Sequence, residues 1–257
     1  MKILMVGDIV GSVGLNKLKE ELPKIKQQNQ IDFIIANGEN IAEGMGITEK
    51  DFKELKKIGV NVITLGNHTW AKKDVFKIIE EDSIIRPANY VKNIPGHGYG
   101  IFNWNDKKIA VMSLMGRVDI NVLSENPFIV ADNIIQKLNK EADIIIVDFH
   151  AEATAEKIAM LYHLDGRVNA IVGTHTHVQT ADERVTEKGT AYITDVGMTG
   201  PKNSVIGMEI SASIKRFETT LPERYKIATG ECIFNGIVVD IDDDTNKVKE
   251  IKRINLK

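Results

Sequence analysis

Short apolar runs recur along the chain near residues 2–6, 31–36, 61–65, 108–114, 143–148 and 169–173, and several stretches between them have helical spacing. Runs of this length read as buried strands, and their alternation with helices confines the chain to an α/β architecture built in layers. Between the first two runs, Leu15, Leu18, Leu22 and Ile25 recur at helical intervals, with Pro23 predicting a kink or an early break. Phe52, Leu55 and Ile58 repeat the pattern after Thr48, a candidate N-cap with Asp51 at the capping-box position. From Glu152 to His163 the spacing predicts a helix with Ala155, Ile158, Ala159 and Tyr162 on one side, before "DGR" turns the chain. Beyond Arg224, "ECIFNGIVVDID", the turn "DDTN" and "KVKEIKRINL" predict a terminal β-hairpin.

No Ser/Gly/Pro-rich linker or long internal repeat interrupts the 257 residues, so a single domain over 1–257 is expected. Hydrophobic content of 43% and charged content of 27% are ordinary for a globular chain, and no apolar run is long enough to cross a bilayer. The opening "MKILMVGDIVG" is broken by Asp8 and reads as a first strand, not a signal peptide. The single cysteine, Cys232, has apolar neighbours that suit a buried thiol and a reducing, cytoplasmic setting. A net charge of -3 offers no footprint for duplex nucleic acid, so any nucleotide ligand should be small, and no membrane partner is expected. No coiled-coil heptads are present, which leaves a homo-oligomer open.

Polar residues with chemical potential stand directly after the predicted strands, the edge at which open α/β sheets build their sites. They are Asp8, Glu39, Asn40, Asn67, His68, His150, His175 and His177. Carboxylates, imidazoles and amide oxygens together suit divalent first-row metals better than a thiolate site or an all-oxygen calcium cage. Taken singly, Asp8 can cap a helix, Asn67 can start a turn, and His175 with His177 can be a solvent-facing pair. His97 and His163 follow no predicted strand and read as ordinary hydrogen-bonded histidines. Other apparent motifs fail: "GDIVGSVG" lacks the Walker lysine, and "DIDDDTN" has Thr245 where a calcium loop needs glycine. "PGHGYG" reads as a loop before a strand, with a substrate-facing role left open. Arg117 suits either a phosphate grip or a surface ion pair, and Trp70 suits packing better than base stacking.

"GD", "NGEN", "GNH", the strand-terminal His150 and "GTHTH", in this order, resemble the motifs of calcineurin-like metallophosphoesterases. "NGENIAEGMGIT", "LMGR", "DFHAEATAEK" and "GTAYITDVGMTGP" narrow the resemblance to the YmdB-like bacterial subgroup of 2',3'-cyclic-nucleotide phosphodiesterases, over nearly the full length. Val10 stands where most of the superfamily has a metal-binding histidine, and Glu39 stands where most have a bridging Asp. Thr69 replaces the acid that often follows "GNH".

This resemblance implies a layered α/β sandwich of two central mixed β-sheets flanked by helices. It also implies two metal ions, iron (Fe2+/Fe3+) or Mn2+, about 4 Å apart. Asp8, Glu39, Asn40 and His177 would hold one ion, and Glu39, Asn67, His150 and His175 the other, with Glu39 bridging. The implied reaction is hydrolysis of a small phosphodiester or cyclic nucleotide such as 2',3'-cAMP by hydroxide generated at the ions, with His68 protonating the leaving alkoxide. A phosphomonoesterase, a protein phosphatase and a metal-binding regulatory nucleotide sensor with little turnover remain alternatives at this point.

Overall fold

The structure, a computed structural model, describes residues 1–224 and 226–257. The strands are β1 (Lys2–Val6), β2 (Asp8–Ile9), β3 (Phe33–Asn37), β4 (Val62–Thr64), β5 (Ile84–Ile85), β6 (Tyr99–Trp104) and β7 (Lys107–Met115). They continue as β8 (Ile144–His150), β9 (Ala170–Thr174), β10 (Arg184–Val185), β11 (Ala191–Ile193), β12 (Met198–Pro201), β13 (Cys232–Ile241) and β14 (Val248–Leu256). The helices are α1 (Gly11–Asn29), α2 (Glu49–Lys57), α3 (Pro127–Leu138), α4 (Thr154–Leu164) and α5 (Ile210–Thr219).

One sheet runs β2-β12-β13-β1-β3-β4-β5, with β14 paired to β13; the other runs β10-β11-β9-β8-β7-β6. Both are mixed: β1 pairs parallel with β3 but antiparallel with β13, and β8 pairs parallel with β7 and β9 while β6 pairs antiparallel with β7. The strand period of two then assigns each residue to a layer. Ile3, Met5, Phe33 and Ile35 of the first sheet meet Ile109, Val111, Ile144 and Ile146 of the second in a shared core. Leu4, Val6 and Ile34 face outward onto Leu15, Leu18, Leu22 and Ile25 of α1 and Leu55 of α2. Ala110, Met112 and Val147 face α3 and α4. Strands buried on both faces cannot alternate polar and apolar residues, which is why they appear as continuous apolar runs.

Three expectations need correction. Helix α1 continues through Pro23 to Asn29 without an early break. Proline cannot donate to the Lys19 carbonyl, but Leu15, Leu18, Leu22 and Ile25 on both sides of it are buried, so tertiary packing overrides the break. Helix α4 buries Lys157, Met160, Leu161 and Leu164, and of the predicted stripe only Ile158 packs on the core, while Ala155, Ala159 and Tyr162 are exposed. Cys232 is half-buried at the first position of β13, though burial still holds its thiol pKa above the usual value. The Thr48–Asp51 capping box and the terminal hairpin form as the spacing implies.

Candidate active site

The eight candidate residues gather at the C-terminal ends of β1, β3, β4, β8 and β9: Asp8 opens β2 just after β1, His150 ends β8, and the other six lie in the loops that follow β3, β4 and β9. Asp8, Glu39, Asn40 and His150 are buried, whereas His68 keeps 32% of its side chain exposed. Two groupings emerge around Glu39. In one, His150 Nε2 lies 2.9 Å from Glu39 Oε1, 2.9 Å from Asn67 Oδ1 and 3.0 Å from His175 Nδ1. In the other, His177 Nε2 lies 3.8 Å from Asp8 Oδ1 and 3.1 Å from Asn40 Nδ2, which also donates to Asp8 at 3.2 Å and to Glu39 at 3.4 Å.

Each of the three clustered histidines is anchored through its outer nitrogen. His150 Nδ1 donates to Thr174 Oγ1 at 2.9 Å, and the Thr174 hydroxyl donates onward to Asp148 at 2.7 Å. His175 Nε2 lies 3.1 Å from Glu152 Oε2, and His177 Nδ1 donates to the Ile206 carbonyl at 2.8 Å. The inner nitrogens Nε2, Nδ1 and Nε2 are therefore free to present lone pairs to the cluster, the arrangement that metal-ligating histidines use. Without a proton or a cation, the His150 Nε2 lone pair would face two acceptors, Glu39 and Asn67. The donor set of Glu39, His150 and His175, whose ligand atoms all lie within 4.8 Å of one another, therefore fits a metal ion.

Electrostatics agree with this crowding. Burial raises the Asp8 carboxyl above its usual range against the opposing pull of His177 and His150. Burial also acts to raise Glu39, but the charge and hydrogen bond of His150 outweigh it and hold the carboxyl at about 2. For His150 burial opposes protonation, and Glu39 overcomes it to raise the imidazole to about 9. Burial and the neighbouring His150 charge push His175 down to about 3, so His175 stays neutral with a lone pair available.

The backbone is shaped for this convergence. His175 and His177 adopt φ of 102° and 65°, unusual for side chains other than glycine. This places the one-residue spacing in a strained loop beyond β9 and not on a strand. Asp8 Oδ2 accepts the His175 N–H at 3.1 Å, and Asp195 Oδ2 accepts the Thr176 N–H at 3.1 Å. At Gly66 a Cβ would collide with His150 Nε2 and Glu39 Oε2, so only glycine lets the β4 loop pass.

Asn40 departs from the implied ligand geometry. Its Oδ1 accepts from His68 Nδ1 at 2.9 Å, whereas its Nδ2 faces the cluster. Only the oxygen can bind a cation, so ligation by Asn40 requires the carboxamide to turn. The Thr69 hydroxyl donates to Gly66 O at 2.6 Å and builds the turn. Trp70 packs on Phe76 and Tyr90, Arg117 is exposed with its N–H donating to Glu156, and His163 pairs with Asp132 at the surface.

Sequence reasoning missed the supporting residues Asp148, Thr174, Lys157 and Asp195. Asp148 sits within the apolar run "IIIVDFH" of a strand buried on both faces, and that position by itself signals a buried, partnered carboxylate. Burial pushes it up to about 6, and the hydroxyls of Thr64 and Thr174 bind its oxygens.

Residues 4–254 match the family model described as YmdB-like protein. The chain is 49% identical over 255 residues to the 2',3'-cyclic-nucleotide 2'-phosphodiesterase of Bacillus subtilis, covering 99% of this chain and 96% of that protein. A crystal structure described as a novel phosphatase of Mycoplasma pneumoniae superposes with a TM-score of 0.95 at 40% identity, covering 100% of this chain and 93% of that one. The NAD nucleotidase of Haemophilus influenzae shares the fold, with a TM-score of 0.61 at 14% identity over 99% of this chain and 55% of that one. On the strength of the match across nearly its whole length, the chain belongs to the YmdB-like protein family.

Proposed function

We propose that the chain is a metal-dependent phosphodiesterase acting on small phosphodiesters, with 2',3'-cyclic nucleotides as its substrate class. The observation that carries this reading is the set of three histidines, each fixed through its outer nitrogen, whose inner nitrogens converge with Glu39 and Asp8 at one strand edge. The naming of the Bacillus subtilis relative supplies the substrate class.

In this reading Asp8, Glu39, Asn40 and His177 hold one ion, and Glu39, Asn67, His150 and His175 hold the second. Nitrogen and oxygen donors without thiolate suit iron or manganese. Bound there, the ions would neutralise charge on the phosphoryl oxygens and acidify the water that attacks phosphorus. The chain's own residues do the rest. Glu39 and Asp8 offset only part of the charge of two divalent ions, which leaves a positive field for an anionic phosphate, and Glu152, Thr174 and Ile206 lock the rings. His68, with 32% of its side chain exposed, lines a cavity of about 230 Å³ next to the cluster. With Nδ1 donating to Asn40 Oδ1, His68 can carry the proton at Nε2 and deliver it to the ribose oxygen as the P–O bond breaks.

Metal-loaded protein should hydrolyse 2',3'-cAMP faster than a linear diester and far faster than a phosphopeptide. Faster release of phosphate from the phosphopeptide would favour the protein-phosphatase alternative. Tight binding of 2',3'-cAMP with no product would favour a nucleotide sensor.

A further inference from the structure

The cavity beside the cluster has an asymmetric lining. Glu39, Asn40, His68, His175 and His177 form one side, and the opposite side is apolar. Met45, Ile206, Met208 and Phe217 dominate that wall, and its buried hydroxyl, Ser213, is spent on the Glu209 carbonyl at 2.8 Å. Phe217 is 79% exposed, and with Met45 and Ile206 also exposed it makes the wall an apolar surface open to solvent.

The wall is built at a conformational cost. Val205 and Met208 pair across a tight turn whose central residues, Ile206 and Gly207, have φ of 47° and 101°. Turns with positive φ at both central positions prefer Asn-Gly, and a β-branched residue at the first is strained. Ile206 holds that position, its carbonyl accepts the His177 ring N–H, and its side chain lines the cavity. Backbone strain at a residue that touches both a candidate ligand and the cavity points to a role for its side chain.

Resting on the function proposed above, we infer that this wall is the nucleobase subsite and that it does not discriminate between bases. At about 230 Å³ the cavity is smaller than the roughly 300–1,000 Å³ pockets of drug-sized ligands and has room for one flat ring system. Apolar side chains and an aromatic ring bind any base through its face, because every base has one. Among the described wall residues no side-chain donor is free to read a base edge, because the Ser213 hydroxyl gives its proton to the Glu209 carbonyl. Strong base discrimination requires such groups.

The test compares the four 2',3'-cyclic nucleotides and a ribose 2',3'-cyclic phosphate lacking a base, using wild type, Phe217→Ala and Met45→Ala, two wall residues that anchor none of the proposed metal ligands. Wild type should turn over all four nucleotides with kcat/KM within about tenfold of one another. Each variant should raise KM for the nucleotides roughly tenfold with little change in kcat. Neither variant should alter kcat/KM on the substrate without a base. Discrimination between bases above about 100-fold, or unchanged KM in both variants, overturns the inference. Failure of wild type to cleave any cyclic nucleotide overturns it together with the proposed function, and is distinguished because it appears before any variant is made.

Discussion

Lys157 of α4 and Asp195, which follows β11, form an ion pair at 2.7 Å with each side chain only 1% exposed. Asp195 also accepts the N–H of Gly197 at 2.8 Å through its other oxygen, and the N–H of Thr176 through the oxygen that binds Lys157. A buried pair thus holds the strained loop carrying His175 and His177. Removing one partner strands a charge, so Lys157→Met should destabilise the protein by about 3–5 kcal/mol. The double variant Lys157→Met/Asp195→Asn should recover most of that loss, because no unpaired charge remains. Urea unfolding of the four proteins measures the cycle, and a double variant no more stable than Lys157→Met would contradict it.

The Asp148–Thr174–His150 chain fixes which ring nitrogen of His150 carries the proton. Thr174→Val keeps the shape but removes both hydrogen bonds. Outer partners of metal-binding histidines are typically worth about 10- to 100-fold in affinity or activity. Thr174→Val should therefore weaken metal retention on dialysis and lower turnover by that order, whereas Thr174→Ser should behave close to wild type. Equal metal retention in the Val and Ser variants would show that the hydroxyl does not act on His150.

Gly66 offers a steric test of the same site. A methyl group there would run into His150 and Glu39, both fully buried and unable to step aside. Overpacking of this kind costs about 1–3 kcal/mol. Gly66→Ala should express as folded protein but carry less metal and show reduced turnover, read by elemental analysis beside the circular dichroism spectrum. Gly59, whose added Cβ would meet nothing within 4 Å, is open space but has φ of 97°, so Gly59→Ala should lose stability without losing metal.

His68 separates chemistry from metal binding. Its ring contacts Asn40 and Glu39 but stands outside the close Glu39–His150–His175 set. His68→Ala should keep its metal content yet lose about 10²- to 10⁴-fold in turnover of 2',3'-cAMP. Asp8→Ala and Glu39→Ala should lose metal and activity together. Full activity in metal-replete His68→Ala would remove His68 from the proton-donor role.

The strand ends were legible because each apolar run stops at a polar residue, and a layered α/β fold gathers such stops along one edge. Strand order was not legible: nothing local in "MKILMV" announces that β1 sits between β13 and β3. The face of α4 was misread because Lys157 interrupts the buried stripe, and Ala155, Ile158, Ala159 and Tyr162 are equally regular although only Ile158 among them packs on the core. A lysine can occupy such a position only opposite a buried carboxylate, and its partner lies 38 residues away in the chain. Periodicity reports burial only where the core is apolar, so the charged groups that support the site escaped it.

Asp182, at the end of the "THTHVQTAD" segment, makes the stability of this region depend on pH. Its carboxylate accepts from the Thr180 hydroxyl at 2.7 Å, the Thr194 N–H at 3.1 Å and the Thr194 hydroxyl at 2.5 Å. Burial opposes ionisation, but these hydrogen bonds outweigh it and hold the folded pKa below the usual carboxylate value. A depressed folded pKa stabilises the protein fully above the unfolded value, near 3.9, and the contribution is lost as pH falls through the folded value. Asp182→Asn keeps an acceptor for the Thr194 N–H but cannot accept from both hydroxyls. At pH 7 the metal-free variant should be less stable than metal-free wild type by about 1–2 kcal/mol, discounted for the carboxylate's partial exposure. At pH 3 the gap should narrow, because below the unfolded value the unfolded wild type takes up a proton that the folded carboxylate resists. Urea midpoints at the two pH values measure it, and a constant gap would mean that Asp182 stabilises the segment by shape and not by charge.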